Sequence, residues 1–360
     1  MTKDLWHFSR LELANQVLGM FETGLSNALV FFAPRRMGKT EFLRKDVQPL
    51  AEKLKWHTFY FSFLDVGERT KEEYTNELRN FAERIGAVKK SNILSRISQI
   101  GGEAGGIKAN VNLDSTSDVS EMKNLMSDLG EKGKILLLMD EVQALAKNNA
   151  NQQFIAGLRT SLDINKDTVK VIFTGSSREG LRRMFSQASA PFFHFGQNLP
   201  FPELGREFTD HLSNVFYEVT KRTLDKDILW RVFQEIEKVP QLARSLVERL
   251  ALNPNEDIDE TKEKLMSDIF NDRAFVEIWE GSSRLEQLLL KEIAGGNDQI
   301  FSDRKRTHFS QILGVPKLSV PSIQSAIRGL QRKNLIGKLP ERGEYFIDDP
   351  NFKNWLQNMD

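Results

Sequence analysis

One segment decides the fold: it reads ALVFFAPRRMGKT and covers residues 28–40. Its apolar start, Ala28–Phe32, predicts a strand, and residues 40–54 follow a helical pattern. Between strand and helix, the loop meets the pattern G-x-x-x-x-G-K-[ST], except that Ala33 stands at the first glycine position. Backbone N–H groups at such a junction face phosphate oxygens. The segment therefore predicts a phosphate-binding loop in a domain with a parallel sheet.

The residue types in this loop suit nucleoside triphosphate chemistry. Gly38 allows the backbone to approach the phosphates closely, and Lys39 adds a positive charge near the β- and γ-phosphate oxygens. Thr40 offers a hydroxyl to Mg²⁺. We expect ATP and Mg²⁺ as the bound cofactors, with the nucleotide held by Ala33, Pro34, Arg35, Arg36, Met37, Gly38, Lys39 and Thr40.

A pair of acidic residues supports this interpretation. The apolar run ILLLM, residues 135–139, ends in Asp140 and Glu141. A carboxylate at such a strand end can hold Mg²⁺ through water, and a second one can deprotonate the attacking water. Asp140 is the predicted metal-site acid, together with Thr40, and Glu141 is the predicted catalytic base. The alternative is a charged strand end without a catalytic role.

A third strand, over residues 169–175, is followed by Ser176, Ser177 and Arg178. Polar groups at this edge can sense the γ-phosphate or the water, and Arg178 is a candidate catalytic residue that neutralises charge in the transition state. The alternative is a strand-to-helix turn in which Ser176 or Ser177 caps the helix.

The whole N-terminal half alternates strands and amphipathic helices, which predicts an α/β fold with helices on both faces of the sheet. The predicted strands are residues 28–33, 58–64, 135–140, 169–175 and 191–195, and the predicted helices are residues 40–54, 71–85 and 152–163. The glycine-rich residues 101–106 and the alternating pattern of residues 107–113 predict a turn and a half-exposed strand or hairpin, inserted between core elements.

Composition excludes several classes of protein. The chain of 360 residues has 50 Lys and Arg, 50 Asp and Glu, 5 His and no Cys. Disulfide scaffolds, cysteine-based zinc sites, thiol nucleophiles and iron–sulfur clusters are therefore excluded. The sequence has no apolar run as long as a membrane helix and no signal peptide at its start, so we expect a cytoplasmic protein without a membrane partner.

After residue 205 the strand pattern gives way to helices, and three domains are predicted: residues 1–205, a helical lid over residues 206–280, and residues 281–360. Lid helices are expected at residues 206–220, 226–238, 241–250 and 257–270. In the last domain, a helix at 285–294, a short helix at 307–313, a third helix capped by Ser319 or Ser322, and a hairpin at 335–347 follow the order of a winged helix.

This last domain is locally basic. Nine Lys and Arg but only one acidic residue lie between Arg304 and Arg342. A surplus of eight positive charges suits a DNA phosphate backbone. The predicted DNA-binding residues are Ser322, Ser325, Arg328, Arg332, Lys333 and Lys338. The alternative is a winged helix that serves domain packing or protein contacts.

Together these motifs resemble P-loop ATPases of the AAA+ and STAND type, most closely the archaeal and bacterial ATPases akin to origin-recognition proteins. The resemblance rests on residues 33–40, Asp140-Glu141, residues 174–177 and the C-terminal winged helix. It implies that Arg10, in the sequence FSRLE, lies near the adenine, and that Pro240, in KVPQ, packs on the nucleotide. Related ATPases have a sensing arginine just after this proline. Here Gln241 stands at that position, and Arg244, one helical turn on, is either its substitute or, as expected, an arginine that faces solvent.

The resemblance also implies a function: a DNA-associated ATPase whose nucleotide state controls assembly or DNA loading, with ATP or ADP, double-stranded DNA and copies of itself as partners. In such ATPases an arginine finger often reaches a neighbouring subunit, for which Arg182 and Arg183 are the candidates. The alternative function is a STAND-type signalling switch that acts through protein partners without DNA.

Overall fold

A five-stranded parallel sheet forms the centre of the N-terminal half. The structure, a computed structural model, describes residues 4–64, 69–88, 115–147, 151–181, 184–185, 190, 192–270, 273–297, 299–338 and 344–359. The strands lie in the order β2-β3-β4-β1-β5, and each neighbouring pair is parallel. They are β1 (Ala28–Phe32), β2 (His57–Ser62), β3 (Ile135–Asp140), β4 (Val169–Gly175) and β5 (Gln197–Pro200).

Helices cover both faces of this sheet, as the sequence predicts. One face packs against α1 (Leu11–Glu22) and α2, which comprises Lys39–Glu41, a π-helical turn at Phe42–Val47, and Gln48–Lys53. The other face packs against α3 (Thr70–Arg84), α4 (Ser115–Lys132) and α5 (Gln152–Ile164). Every residue of β3 and β4 is buried, which explains why both read as nearly continuous apolar runs.

The predicted strand at residues 191–195 is wrong. Phe192 and Phe195 are buried in the core against Phe173, but they belong to a turn, and the fifth strand is Gln197–Pro200. This edge strand is polar and mostly exposed, so it lacks the apolar pattern that marks buried strands. The predicted insertion at residues 101–113 lies outside the described residues.

Residues 206–270, which follow β5, are helical. They form the lid, which contains α7 (Arg206–Thr220), α8 (Lys226–Glu235), α9 (Pro240–Leu252) and α10 (Ile258–Phe270), close to the predicted bounds. Their apolar faces form one buried cluster that includes Phe208, Leu246 and Leu265. The short α6 (Arg178–Leu181) lies earlier, between β4 and β5.

The next helix, α11 (Arg273–Glu280), packs away from the lid. Its Phe275 lies in the C-terminal core, with its ring centroid 5.3 Å from that of Phe352. This contact places α11 with the C-terminal region, here residues 273–359, although the sequence assigned it to the lid. We propose that the domain boundary lies between α10 and α11.

The C-terminal region has three further helices, a two-stranded antiparallel sheet and a final helix. These are α12 (Arg284–Ala294), α13 (Asp303–Leu313), α14 (Val320–Arg332), β6 (Ile336–Lys338), β7 (Tyr345–Ile347) and α15 (Pro350–Gln357). Ser319 caps α14 by accepting a hydrogen bond from the N–H of Ser322, so Ser319 and not Ser322 is the cap. Residues 339–343 of the predicted hairpin lie outside the described residues.

None of the described helices is both long enough and apolar enough to cross a lipid bilayer.

Candidate functional site

The predicted site residues meet at one edge of the sheet. β1 lies beside β4, and β4 beside β3, so their carboxyl ends are neighbours; Phe32 is in register with Gly175, and Met139 with Phe173. The phosphate loop follows β1, while Asp140 and Glu141 follow the buried part of β3. Parallel open sheets bind ligands at this edge.

Two residues of the loop have left-handed backbone angles. Gly38 has φ of 88° and Arg36 has φ of 67°, and both angles lie in the left-handed region. Lys39 begins α2, and its Nζ donates hydrogen bonds to the carbonyl oxygens of Ala33 at 2.7 Å and Pro34 at 2.9 Å. The lysine side chain is thus held inside the curve of the loop.

Lys39 is a buried cation. Only 5% of the residue is exposed, and this burial lowers the pKa of Lys39, against the opposing effect of the Glu141 and Asp140 carboxylates. A further anion in the loop would stabilise the charged ammonium. The electrostatics of the loop therefore suit a phosphate.

Three hydroxyl groups converge on Asp140, which is buried. Its Oδ2 accepts hydrogen bonds from Thr40 Oγ1 at 2.5 Å and from the Tyr60 hydroxyl at 3.1 Å, and its Oδ1 accepts one from Thr174 Oγ1. Burial, followed by the Asp140 carboxylate, raises the pKa of Tyr60 above its ordinary range, so the phenol stays a donor. The sequence predicted Thr40 beside Asp140, but it missed Tyr60, since only the sheet order makes β2 the neighbour of β3.

Glu141 is held by Ser176, at the end of the neighbouring strand β4, and by Gln143, two residues further along the chain. Its backbone φ is 55°, and its Oε2 accepts hydrogen bonds from Ser176 Oγ at 2.7 Å and from Gln143 Nε2. A Cβ on Gly175 would lie 2.4 Å from Gln143 Oε1 and 2.9 Å from Leu181 Cγ, so these side chains would have to shift to accommodate it. Ser176, predicted to sense the γ-phosphate, thus contacts the predicted base directly.

Ser177 has a different role from Ser176. Its Oγ accepts a hydrogen bond from the N–H of Gly180 at 3.1 Å, which is the contact of a helix cap. This is the predicted alternative for Ser177. Arg178 begins α6, but its side chain, like Arg182 and Arg183, lies outside the described residues.

A cleft of about 480 Å³ lies between the phosphate loop and the lid. Its wall contains Glu141 and Pro240, as well as the phosphate loop from Arg35 to Thr40. Arg244 also lines it and is half-buried, so the expectation that Arg244 faces solvent is wrong. The reason is that α9 begins at Pro240, and Arg244, one turn later, lies on the same side of the helix.

Arg10 connects the N-terminal segment to the phosphate loop. Its Nη1 and Nη2 donate hydrogen bonds to the carbonyl oxygens of Pro202, at 2.5 Å, and Met37, at 3.3 Å. Its guanidinium carbon lies 4.3 Å from the centre of the Phe201 ring. Burial lowers the pKa of Arg10 to about 10, with the Asp46 carboxylate opposing this shift, so the group remains charged at neutral pH. Arg10 lines the cleft, and its position near the adenine stays a prediction.

The C-terminal region contacts the phosphate loop and the adjacent strand end. Arg36 Nη1 lies 2.5 Å from Asp349 Oδ1, and Ser177 Oγ donates a hydrogen bond to Asn334 Oδ1 at 3.2 Å. Lys353 forms an ion pair with Glu237, which precedes the lid helix α9. The sequence missed these contacts because residues 36 and 349 are far apart along the chain.

Comparisons with known proteins agree with this geometry. Residues 8–234 match the family model described as an ATPase domain predominantly from Archaea. No curated protein sequence matches the chain.

Solved structures share the fold at low sequence identity. The Walker-type ATPase PABY2304 of Pyrococcus abyssi is 16% identical, with a TM-score of 0.66 over 98% of this chain and 96% of that chain. The ORC2 protein of Aeropyrum pernix, in its ADPNP–ADP complexes, is 15% identical, with a TM-score of 0.53 over 99% of this chain and 97% of that chain.

The family model spans well over half of the chain and contains the phosphate loop, the acids that follow β3 and the polar end of β4. The chain therefore belongs to the family of P-loop ATPase domains found predominantly in Archaea, and it is an ATP-hydrolysing enzyme.

Proposed function

We propose that this ATPase uses the state of its bound nucleotide to control assembly or DNA association through a C-terminal winged helix. The observation that carries the proposal is the ion pair between Arg36, in the phosphate loop, and Asp349, at the start of α15. Arg36 lines the nucleotide cleft and also contacts the C-terminal region, so a change in the bound nucleotide can change the position of that region. The contact of Ser177 with Asn334 provides a second connection, close to the predicted base.

In this proposal Thr40 and Asp140 hold Mg²⁺. Their side-chain oxygens already lie 2.5 Å apart, and a hydroxyl and a carboxylate are the hard oxygen ligands that this cation takes. The cation, when bound, supplies charge neutralisation at the phosphates. Lys39 binds the β- and γ-phosphate oxygens, and Glu141 accepts the proton of the attacking water.

The residues proposed to contact DNA form an exposed stripe on α14. Ser322, Ser325, Arg328 and Arg332 are exposed, while Ile323, Ile327 and Leu330 on the opposite face are buried in the C-terminal core. A third helix that presents hydroxyl and guanidinium groups beside a two-stranded wing suits a duplex groove and its phosphates.

Acidic residues outside the basic segment neutralise part of its charge. Lys333 lies 3.0 Å from Glu286, Lys305 lies 2.6 Å from Glu292, and Arg306 pairs with Asp303. Arg328 and Arg332 have no ion pair with the described residues, and neither does Lys338, which lies over the Tyr345 ring. The proposed DNA surface therefore depends mainly on Arg328, Arg332 and Lys338 rather than on Lys333.

Reversal of two of these charges tests the DNA proposal. The double variant Arg328→Glu/Arg332→Glu is expected to weaken duplex binding about tenfold or more. It should also reduce the slope of the logarithm of the association constant against the logarithm of the salt concentration by about two units. Fluorescence anisotropy with a duplex at two salt concentrations measures both. ATP hydrolysis without DNA should remain close to wild type because neither residue lines the nucleotide cleft.

The matched control is Lys53→Glu/Lys226→Glu, which changes the net charge equally at two exposed positions in the core and the lid. If this control weakens DNA binding as much as the α14 variant, the stripe is not the DNA surface. If the wild type shows no DNA affinity even at about 50 mM salt, where phosphate contacts are strongest, the signalling switch becomes the better function.

The signalling alternative also has support in the structure. The C-terminal region lies directly against the phosphate loop, as expected of a switch that a nucleotide opens for protein partners. In that case, reversing Arg328 and Arg332 would alter nucleotide exchange or oligomer size.

The Arg36–Asp349 contact can be tested on its own. Asp349 both pairs with Arg36 and caps α15 by accepting a hydrogen bond from the N–H of Asn351 at 2.9 Å. Asn is an equally good cap, so Asp349→Asn removes the charge and preserves the helix end. A double-mutant cycle with Arg36→Gln should give a coupling free energy of about 1 kcal/mol in urea unfolding, as for a partly buried ion pair. Additive effects of the two variants would show that the ion pair does not hold the two regions together.

A further inference from the structure

Tyr60, on the sheet face that α2 covers, reaches the carboxylate at the end of the neighbouring strand. Side chains alternate along β2, so Phe61 lies in the core of the opposite face, whereas Tyr60 packs with Leu138 on this one. Tyr60 is in register with Leu138, and Asp140 lies two residues further along β3, a distance of about 7 Å. The phenol spans this distance, and its hydroxyl donates a hydrogen bond to Asp140 Oδ2.

Hydrogen-bond donors hold both oxygens of the Asp140 carboxylate. Oδ2 accepts from Thr40 Oγ1 at 2.5 Å and from the Tyr60 hydroxyl at 3.1 Å. Oδ1 accepts from Thr174 Oγ1 and, at 3.1 Å, from the N–H of Glu141. Because α2, β2 and β4 each supply one side-chain donor, rotation of the carboxylate breaks contacts with three elements. Tyr60 therefore helps to keep Oδ2 beside Thr40.

The position of Oδ2 also determines how the Thr40 hydroxyl is oriented. Thr40 Oγ1 donates its single proton to Oδ2, so the lone pairs of Oγ1 remain available to a cation. Thr40 lines the nucleotide cleft, whereas Asp140 is only 2% exposed and Tyr60 is not among the residues of the cleft wall. Any influence of Tyr60 on a bound cation therefore acts through Asp140.

We propose that Tyr60 is a positioning residue for Mg²⁺: its hydroxyl holds Asp140 Oδ2 beside Thr40, so that both oxygens are in place before the cation binds. Partners that orient a metal-binding side chain in this way contribute about 10- to 100-fold to metal affinity. The inference rests on the proposed function, because it requires Mg²⁺ at Thr40 and Asp140.

Tyr60→Phe tests this role, since it removes the hydroxyl and keeps the ring that packs with Leu138. Isothermal titration calorimetry with the full chain measures the affinity for ATP in Mg²⁺ and in EDTA. The ratio of the two affinities is expected to fall about tenfold in the variant. The affinity in EDTA should stay at the wild-type value, because Tyr60 is not part of the cleft wall. Excess Mg²⁺ should restore the maximal rate of hydrolysis.

A second comparison shows whether Tyr60 acts through the carboxylate. In an Asp140→Asn background, adding Tyr60→Phe should not change the ratio further, because the two residues contribute one shared interaction. Tyr217→Phe, at an exposed position on α7, is the matched control and should keep the wild-type ratio.

Three results would contradict the proposal. A wild-type ratio in Tyr60→Phe would overturn the role of Tyr60. Equal loss of ATP affinity in Mg²⁺ and in EDTA would overturn it as well, since the hydroxyl would then support the fold of the site and not the cation. If Mg²⁺ does not strengthen ATP binding to the wild type, the magnesium site at Thr40 and Asp140 is itself wrong, and the role of Tyr60 with it.

Discussion

Replacement of Lys39 by alanine is expected to weaken ATP binding on the order of 100-fold, equivalent to about 3 kcal/mol. Lys39 Nζ is buried inside the phosphate loop, where water screens its charge poorly, and a hydrogen bond between ions in such a place is strong. Calorimetric titration of ATP, or competition with a fluorescent ATP analogue, measures the loss.

The fold of the variant should survive, because the hydrogen bonds of the lysine to described residues go to the carbonyl groups of Ala33 and Pro34 within the loop itself. Lys45→Ala is the matched control: it removes a lysine from the same helix, but one that pairs with Asp4 and Glu41 on the surface. Wild-type ATP affinity in Lys39→Ala, with wild-type thermal stability, would rule out the assigned phosphate contact.

Glu141→Gln is expected to retain ATP binding and to slow hydrolysis by about 10²- to 10⁴-fold, the range typical of general bases. Glutamine is nearly isosteric with glutamate and can keep the hydrogen bond from Ser176, but it cannot accept the proton of the attacking water. Steady-state phosphate release and the affinity for ATP, measured on the same preparation, separate catalysis from binding.

Glu77→Gln provides the control for this change, since Glu77 is exposed on α3 and does not line the cleft. Hydrolysis at the wild-type rate in Glu141→Gln would remove Glu141 from the role of base. A loss of ATP binding in this variant would indicate that Glu141 instead organises the site through Ser176 and Gln143.

The sequence predicts the core of the site well because the relevant residues follow strands with a strong apolar pattern. β3 and β4 are buried on both faces, so Ile135–Asp140 and Val169–Gly175 were predicted with their observed bounds. Because β4 lies between β1 and β3 in the parallel sheet, Thr40, which follows β1, and Asp140, at the end of β3, lie at the same edge and within hydrogen-bond distance. The edge strand Gln197–Pro200 was missed for the opposite reason, since an exposed polar strand has no such pattern.

Helices, too, were predicted where the sequence has a clear apolar pattern and missed where it has none. The lid helices were predicted close to their observed bounds because their apolar residues repeat with helical spacing. The start of α14 was predicted from its capping residues, of which Ser319 is the cap. The π-helical turn of α2 has no comparable signal in the pattern, although it determines where Asp46 lies.

The sequence by itself determined the chemistry of the phosphate site: the loop ending in Lys39 and Thr40 and the acids Asp140 and Glu141. Local chain order suffices there, because a strand, a glycine-containing loop and a helix N-terminus are adjacent along the chain. Only the tertiary structure decided which distant residues meet this site. Tyr60 contacts Asp140 because β2 lies beside β3, His7 contacts Asp46 because the N-terminal segment packs against α2, and Arg36 contacts Asp349 because the C-terminal region packs on the loop. Such contacts depend on packing between elements far apart in sequence, and neither periodicity nor motif spacing contains that information.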